Sequence, residues 1–285
     1  MSAPRVIAVT GTYHGLGNRL RVTLGTRSLA EWAGRDFAYT WPTGRHFGAS
    51  FEEMWTFGER RIAPLQSRLL SLRHPYRAAD LEWMPGAAAD RIWQVRTAHA
   101  LHLPPGATPW GERLRALRPV EGIADRIRAF HARHLSGRPY VGVMVRAHAV
   151  SNAKTLEHSP LEWYLDRMRI IRAEHPEIAF FLSCDSEDAQ QRVIAEIPGT
   201  VALTDKGAYN SKAALLSSVV DLYLLAGAAH LVAPHYSSFP EIAQQLAGPG
   251  IRLETSMTDE RTRLSEGDRL AVAADPLHPA ERRPA

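Results

Sequence analysis

The part of the chain that most constrains the fold is residues 136–257, where short apolar runs alternate with longer helical segments. Tyr140–Val145 and Ile178–Ser183 have the length and composition of buried strands. Between them, Pro160 opens a segment typical of a helix, because proline is favoured in the first helical turn. The alternation continues to a last strand at Ile251–Glu254. Strands that alternate with helices predict a parallel sheet with right-handed crossovers.

The beginning of the chain has the pattern of a βαβ unit. Val6–Val9 is short, apolar and largely β-branched, and Phe37–Trp41 follows as a second strand. Between them, the loop Thr10–Asn18 leads into a stretch with roughly helical apolar spacing, which Gly34 ends as a C-cap. We therefore expect an α/β protein with two Rossmann-like domains, each built on a parallel sheet, that face each other across a cleft.

The expected domains are residues 1–135 and 136–257. Residues 258–285 are polar, charged and rich in proline and alanine, which predicts a flexible tail.

Composition excludes several classes of protein. The 285 residues are 45% hydrophobic and 22% charged, an ordinary globular balance. We expect neither a membrane span nor a signal peptide, because no apolar stretch is suitable for either. Cys184 is the only cysteine, which excludes an intrachain disulfide and suits a cytoplasmic protein. The net charge of +4 permits an anionic ligand, but no long basic run indicates nucleic-acid binding.

Polar side chains follow two of the predicted strands, at the edge where open α/β sheets bind ligands. Arg146 ends an apolar strand, and it either pairs with a buried acid or clamps a diphosphate, because a guanidinium forks onto phosphate oxygens. His148 is either a further hydrogen-bond donor or an exposed loop residue. Asp185 follows the next strand and either accepts from a ribose or base, or caps the following helix, a role that suits Ser186 better.

A second group of candidates follows in the chain. Asp221 lies in an apolar helix, so its carboxylate needs a partner. That partner is either an internal arginine or lysine, or the edge of a guanine, which presents two N–H groups. Ser237 and Ser238 precede Phe239 and a helix. One serine is expected to cap this helix and the other to bind a phosphate together with the free helix N–H groups.

The first glycine-containing loop offers another candidate site. Gly15 and Gly17 suggest a dinucleotide fingerprint, but Leu20 replaces its third glycine, which disfavours a nicotinamide-dependent oxidoreductase. We expect the helix N-terminus at Asn18–Arg19 to offer N–H groups to a ligand. His14 is a candidate general base for an acceptor hydroxyl, because histidine titrates near neutral pH.

These residues together resemble the superfamily of fucosyltransferases that use GDP-fucose, which includes nodulation-type α-1,6-fucosyltransferases and related α-1,2 enzymes. The stretches that carry the resemblance are Gly15–Leu20 with Trp41, Val143–Arg146, and Asp221 with Ser237-Ser238-Phe239.

The resemblance implies a GT-B-like fold in which residues 136–257 bind the nucleotide sugar and residues 1–135 form the acceptor side. It also implies inverting transfer without an obligatory metal or other cofactor. Arg146 is then expected to contact the diphosphate, Asp221 to lie in the nucleotide pocket, and Ser237 or Ser238 to meet the phosphates. Arg146 also becomes a catalytic candidate, because it would offset charge on the leaving diphosphate, with help from the helix N-termini near Asn18 and Ser238. The other residues expected to bind the sugar donor are Gly15, Gly17, Asn18, Arg19, His148, Asp185 and Phe239.

The chain departs from the family pattern beside Arg146. Where the family strand usually reads His-x-Arg, often followed by Arg and Asp, this chain has Met144, Ala147 and Ala149. Another nucleotide sugar, or a non-catalytic protein that binds a sugar nucleotide or glycan, therefore stays open. The predicted function is a cytoplasmic glycosyltransferase that moves fucose from GDP-fucose to a glycan, peptide or small-molecule acceptor.

Overall fold

A computed structural model describes residues 3–148 and 153–284. The chain divides into two compact units, namely Met1–Val120 with Asn210–Leu216, and Glu121–Tyr209 with Ser217–Ala285. No described helix is both long and apolar enough to cross a lipid bilayer.

The first unit is built on a five-stranded parallel sheet. In chain order its elements are β1 (Arg5–Val9), α1 (Leu16–Trp32), β2 (Asp36–Thr40), β3 (Trp55–Thr56), β4 (Arg60–Arg61), α2 (Pro64–Leu70), β5 (Tyr76–Arg77), β6 (Ile92–Arg96), α3 (Trp110–Ala116) and β7 (Arg118–Pro119). The order across the sheet is β4-β2-β1-β6-β5, while β3 and β7 form a separate antiparallel pair. The predicted βαβ unit is confirmed, since β1 and β2 are parallel neighbours joined by α1.

Both faces of this sheet are buried. Val6 of β1 packs in a cluster with Leu29 of α1 and Val95 of β6. Ile7 and Val9 belong to a different cluster, because successive side chains of a strand point to opposite faces. Burial on both faces explains why β1 is a continuous apolar run rather than an alternating one.

The second unit is also built on a five-stranded parallel sheet. In chain order its elements are α4 (Glu121–His134), β8 (Tyr140–Val145), α5 (Ala153–His158), α6 (Leu161–Glu174), β9 (Ala179–Cys184), α7 (Glu187–Glu196), β10 (Thr200–Ala202), α8 (Lys212–Ala226), β11 (His230–Val232), α9 (Ser238–Ala247), β12 (Arg252–Glu254), β13 (Ala271–Ala273) and β14 (Arg282–Pro284). The first residues of α8 group with the first unit. Single 3₁₀ turns lie at Pro85–Ala87, Gly248–Gly250 and Glu260–Thr262.

The strand order of the second sheet is β10-β9-β8-β11-β12, which is the order of the first five strands of a Rossmann fold. Each pair of neighbours is parallel. The predicted α/β class with two parallel sheets is therefore confirmed.

The ends of the second unit differ from the sequence-based expectation. The unit begins at Glu121 rather than at residue 136, because α4 groups with it. Residues 258–284 include the antiparallel hairpin of β13 and β14 instead of forming a loose tail. Arg282 Nη1 donates to the carbonyl of Ala226 at the end of α8, at 3.2 Å. This partner is a main-chain carbonyl, so the charged composition of the segment does not predict it.

A buried polar network joins the edge strand β12 to the unit interior. Arg167 Nη2 donates to Glu254 Oε2 at 3.2 Å and to the carbonyl of Leu264 at 2.9 Å. His230 Nε2 lies 3.0 Å from the same Glu254 oxygen. Burial alone would raise the pKa of the Glu254 carboxyl, but the bonds from His230 and Arg167 outweigh it and lower the pKa. The carboxylate is therefore ionised and ties the segment after β12 to the core.

Candidate functional site

The carboxyl ends of the parallel strands in the second unit carry the polar residues of the candidate site. Arg146 follows β8, Asp185 follows β9, Lys206 lies in the loop after β10, and Ser237 follows β11. Because parallel strands end at the same edge of a sheet, these residues belong to one edge, where ligands of such sheets bind.

Arg146 is held by a carboxylate at this edge. Asp185 Oδ2 accepts from Arg146 Nη1 at 3.1 Å, and its Oδ1 accepts from the backbone N–H groups of Ala147 and His148 at 2.7 and 3.0 Å. The side chain of Arg146 is 27% exposed and that of Asp185 only 10%. Among the described residues, Arg146 makes no other hydrogen bond. The remaining guanidinium nitrogens are thus oriented and available for an anion.

The Asp185 carboxylate is ionised for a physical reason. Burial raises its pKa, but the charge of Arg146 and the backbone N–H groups of Ala147 and His148 outweigh burial and lower it. The capping role falls to Ser186, whose hydroxyl accepts from the Ala189 N–H, as predicted. Asp185 is therefore engaged in orienting the Arg146 loop.

The loop after β10 brings an aromatic residue beside this arginine loop. His148 stacks on Tyr209 with ring centroids 4.5 Å apart and an interplanar angle of 16°. Of the family departures, Met144 is buried near the end of β8 and Ala147 donates its N–H to Asp185. Ala149 lies outside the described residues.

Asp221 has an internal partner on one of its two oxygens. Ser183 Oγ and Lys206 Nζ both donate to its Oδ2, at 2.7 and 2.8 Å. Lys206 Nζ also donates to the carbonyl of Cys184 at 3.2 Å. Oδ1 of Asp221 has no hydrogen-bond partner in the part of the chain that the structure describes, although the residue is only 4% exposed. The internal-lysine alternative therefore accounts for one carboxylate oxygen and leaves the other unsatisfied.

The predicted phosphate-binding turn begins α9. Ser237 is the N-cap residue, but its hydroxyl makes no capping bond, and Ser238 is the first helical residue. Both serines are half-buried, whereas Phe239 is buried. Pro240 has no N–H, so the helix start offers the N–H groups of Ser238 and Phe239.

The glycine-containing loop of the first unit differs in detail from the sequence-based expectation. α1 begins at Leu16 with Gly15 as its N-cap, so Gly17 lies inside the first helical turn and not in the loop. The helix start therefore precedes the expected Asn18–Arg19 position. Asn18 Oδ1 accepts from Arg21 Nη2 at 2.8 Å, so this side chain is engaged within the helix.

Arg19 is completely buried and binds backbone carbonyls. It donates to the carbonyls of His14, Pro42 and Thr12 at 2.8, 2.7 and 3.1 Å. Its guanidinium also lies 3.9 Å from the ring centroid of Phe47. Burial, with a smaller effect from Arg61, lowers its pKa to about 10. Arg19 therefore stabilises the loop, and no part of the Arg19 side chain is exposed to a ligand.

His14 is held in one tautomer. Its Nδ1 accepts from the backbone N–H of Gly11 at 3.1 Å. Burial, followed by the charges of Arg19, Arg96 and Arg21, lowers its pKa. The ring is therefore neutral near pH 7, and its proton is on Nε2. In this state Nε2 donates a hydrogen bond, and a role as general base requires the other tautomer and loss of the Gly11 bond.

Sequence reasoning missed three residues of the site, namely Ser183, Lys206 and Tyr209. Lys206 and Tyr209 follow β10, and the rule that singled out Arg146 and Asp185, a polar residue after a predicted strand, applies to them as well.

Comparison with known proteins gives structural relatives only. No protein-family model matches the chain, and no curated protein matches it in sequence. The structure of NodZ α-1,6-fucosyltransferase soaked with GDP-fucose matches with a TM-score of 0.59 and 21% identity, over 86% of this chain and 93% of NodZ. POFUT1 in complex with GDP matches with a TM-score of 0.58 and 12% identity, over 90% of this chain and 100% of that chain. A variant of Arabidopsis thaliana FUT1 in complex with GDP matches with a TM-score of 0.59 and 13% identity, over 94% of this chain and 76% of that chain.

At these identities the likeness shows the fold. The chain has the GT-B-like α/β fold of these fucosyltransferases, which confirms the fold that the resemblance implied. The site roles, the absence of a cofactor and the cytoplasmic location stay predictions.

Proposed function

We propose that this protein is an inverting glycosyltransferase that transfers fucose from GDP-fucose to an acceptor hydroxyl. The observation that carries the proposal is Arg146, fixed by Asp185 at the carboxyl edge of the second sheet with guanidinium nitrogens left available. Solved fucosyltransferases with the same fold hold GDP or GDP-fucose, which supports this choice of sugar donor.

In the proposed reaction Arg146 binds the diphosphate and offsets the negative charge that develops on it as the sugar leaves. Asp185 is a positioning residue, because it orients the arginine and the backbone N–H groups of Ala147 and His148. The hydroxyls of Ser237 and Ser238 and the free N–H groups of α9 are assigned to the phosphates.

Asp221 is assigned to the guanine base through its unsatisfied oxygen. For the first unit we propose the acceptor side of the reaction. There the N–H groups at the start of α1, from Gly15 to Asn18, are assigned to the substrate, and Arg19 supports their loop. The acceptor is a glycan, a peptide or a small molecule, and no metal or other cofactor takes part.

The first test measures sugar-donor binding and use. Melting curves with GDP, GDP-fucose, GDP-mannose, UDP-glucose and NAD are expected to show stabilisation by the ligands that contain GDP and none by UDP-glucose or NAD, because a ligand of the folded state raises the melting temperature. Release of fucose from GDP-fucose then tests turnover. Arg146→Ala should weaken the stabilisation and the release of fucose, whereas the exposed Arg128→Ala should keep both. A selective shift with another nucleotide would replace the sugar donor in this proposal.

The second candidate is a non-catalytic protein that binds a sugar nucleotide. It is favoured by the residues beside Arg146, because Met144 and Ala147 bring no polar side chain to the place where the family has a histidine and a second arginine. A protein that binds GDP-fucose in a manner dependent on Arg146, but releases no fucose and transfers none to a panel of glycans, peptides and small-molecule hydroxyls, supports this candidate over the enzyme.

A further inference from the structure

Lys206 was not singled out by the sequence, yet it contacts the carboxylate assigned to the base. We propose that Lys206 is a base-selecting residue, which works with Asp221 to favour guanine over adenine. This inference rests on the proposed function and names the residues that make its nucleotide site specific.

The ammonium of Lys206 has a hydrogen-bond donor to spare. Its Nζ donates to Asp221 Oδ2 at 2.8 Å and to the carbonyl of Cys184 at 3.2 Å. An ammonium group carries three N–H bonds, so one remains after these two contacts in the part of the chain that the structure describes. The side chain is 20% exposed, which leaves it within reach of a ligand at the sheet edge.

Asp221 supplies the complementary acceptor. Ser183 and Lys206 both bind its Oδ2, while its Oδ1 has no partner among the described residues. A buried carboxylate oxygen without a hydrogen bond is costly, so an N–H group from a ligand gains more there than at an exposed site. This oxygen is shielded from solvent, so the proposal requires a side-chain rearrangement that brings it into contact with the base.

A cation next to a carboxylate matches the edge of one purine. Guanine presents the O6 acceptor beside two N–H donors, which places oxygen against Lys206 and N–H groups against Asp221. Adenine presents an amino group where guanine has O6, so the amino group meets the ammonium of Lys206. Such a mismatch leaves buried polar groups unpaired and is strongly rejected. Uracil offers an oxygen and a single N–H group, which is a partial match.

The pair is connected to the proposed diphosphate clamp. The Cys184 carbonyl that accepts from Lys206 immediately precedes Asp185, the residue that orients Arg146. Base selection and diphosphate binding therefore share one end of β9.

Titration calorimetry on the full chain with GDP, IDP, UDP and ADP tests the proposal. The unmodified protein should bind GDP at least about tenfold more tightly than ADP. IDP should bind more weakly than GDP, because its base, hypoxanthine, lacks the second N–H donor of guanine. Lys206→Met should weaken GDP binding by about tenfold or more, and bring the affinities for GDP and ADP close together. Lys212→Met is the matched control, because Lys212 pairs on the surface with Glu53, which belongs with it to the first unit, and the change should alter neither affinity.

Two results would overturn the proposal while leaving the proposed function intact. An unchanged affinity of Lys206→Met for GDP is the first. An equal loss for GDP and ADP is the second, because it means that Lys206 acts on the phosphates or the fold. If Lys206→Met does not fold, Lys206→Gln, which keeps an uncharged N–H donor, should retain the preference for GDP over ADP, and its loss there also overturns the proposal. Failure of the unmodified protein to bind any of the four nucleotides overturns the proposed function as well.

Discussion

Each unit has an arginine in the segment that follows its central strand, Arg19 within α1 and Arg146 directly after β8, and the two arginines have opposite surroundings. Arg19, after β1, is completely buried and donates to three backbone carbonyls. Arg146, after β8, is 27% exposed and is held by one carboxylate. Carbonyl partners leave Arg19 no surface for a ligand, whereas Asp185 orients Arg146 and leaves part of its guanidinium available. Position after a strand therefore does not distinguish a supporting arginine from a ligand-binding one, and their partners do.

The largest expected effect is on stability, from Arg19→Ala. This change leaves three buried or partly buried carbonyls without their donor and removes a contact with Phe47, so we expect a loss of about 3 to 5 kcal/mol in the free energy of unfolding. Urea denaturation measures it. Arg128→Ala, on the surface, should show no measurable change. If Arg19→Ala is as stable as the unmodified protein, Arg19 does not support its loop, and the contrast with Arg146 is wrong.

The next effect is on nucleotide binding, from Arg146→Ala. A lost hydrogen-bonded ion pair with a diphosphate should weaken GDP binding about ten- to a hundredfold. Asp185 keeps its bonds from two backbone N–H groups, so the loss of stability should be smaller than for Arg19→Ala. Calorimetry and urea denaturation of the same variant measure both. If Arg146→Ala destabilises the protein as much as Arg19→Ala and leaves GDP binding intact, Arg146 is a structural residue like Arg19 and does not bind the diphosphate.

A third prediction concerns acid stability. The pKa of Asp185 is lower in the folded protein than its ordinary value of about 3.9. Its stabilising effect is therefore present above that value and is lost as the pH falls through the lower folded pKa. At pH 7, Asp185→Asn should cost about 1 to 2 kcal/mol, and the difference from the unmodified protein should narrow towards pH 3. Denaturation curves at both pH values check this, and a constant difference would mean that the charge of Asp185 has no part in holding Arg146.

A smaller effect is expected from His14→Gln. The bond from Gly11 to Nδ1 selects the tautomer of His14 in which Nε2 carries the proton. The side-chain amide of glutamine offers an N–H donor in place of this Nε2–H, so GDP-fucose hydrolysis should fall by no more than a few-fold. The lowered pKa keeps the ring neutral near pH 7, so the pH profile of this variant should match that of the unmodified protein between pH 7 and 8. A loss of about a hundredfold or more, with a changed pH profile, would instead make His14 the general base.

The smallest effect is expected from removal of metal ions. Because Arg146 is proposed to supply the positive charge at the diphosphate, treatment with EDTA should leave GDP-fucose hydrolysis unchanged. Activity that EDTA abolishes and magnesium or manganese restores would show that the arginine does not suffice.

Much of the second unit was predictable because strand ends are a local property of the sequence. The apolar run Tyr140–Val145 ends where Arg146 begins, and the strand before Asp185 was placed within one residue of its observed position. The N-cap Ser186 was predictable for the same reason, since capping depends on neighbours three residues away.

One failure involves contacts between distant parts of the chain, and another involves the exact start of a helix. The composition of the segment predicts a tail, because the bond from Arg282 of the hairpin to the carbonyl of Ala226 at the end of α8 carries no signature in composition. Gly17 was placed in the loop, but the helix starts at Leu16, and helix ends are the least certain part of such a prediction.

The sequence by itself determined the two α/β units, the strands with their polar ends, and the candidates Arg146, Asp185 and Asp221. These features were predictable because hydrophobic periodicity and the end of a strand depend on residues that are close in sequence. Only the tertiary structure decided that Asp185 holds Arg146, that Lys206 donates to one oxygen of Asp221, and that the buried Arg19 donates to backbone carbonyls. The physical reason is that a buried charge takes the partner that sheet order and loop path bring within hydrogen-bond distance, and those depend on the whole chain.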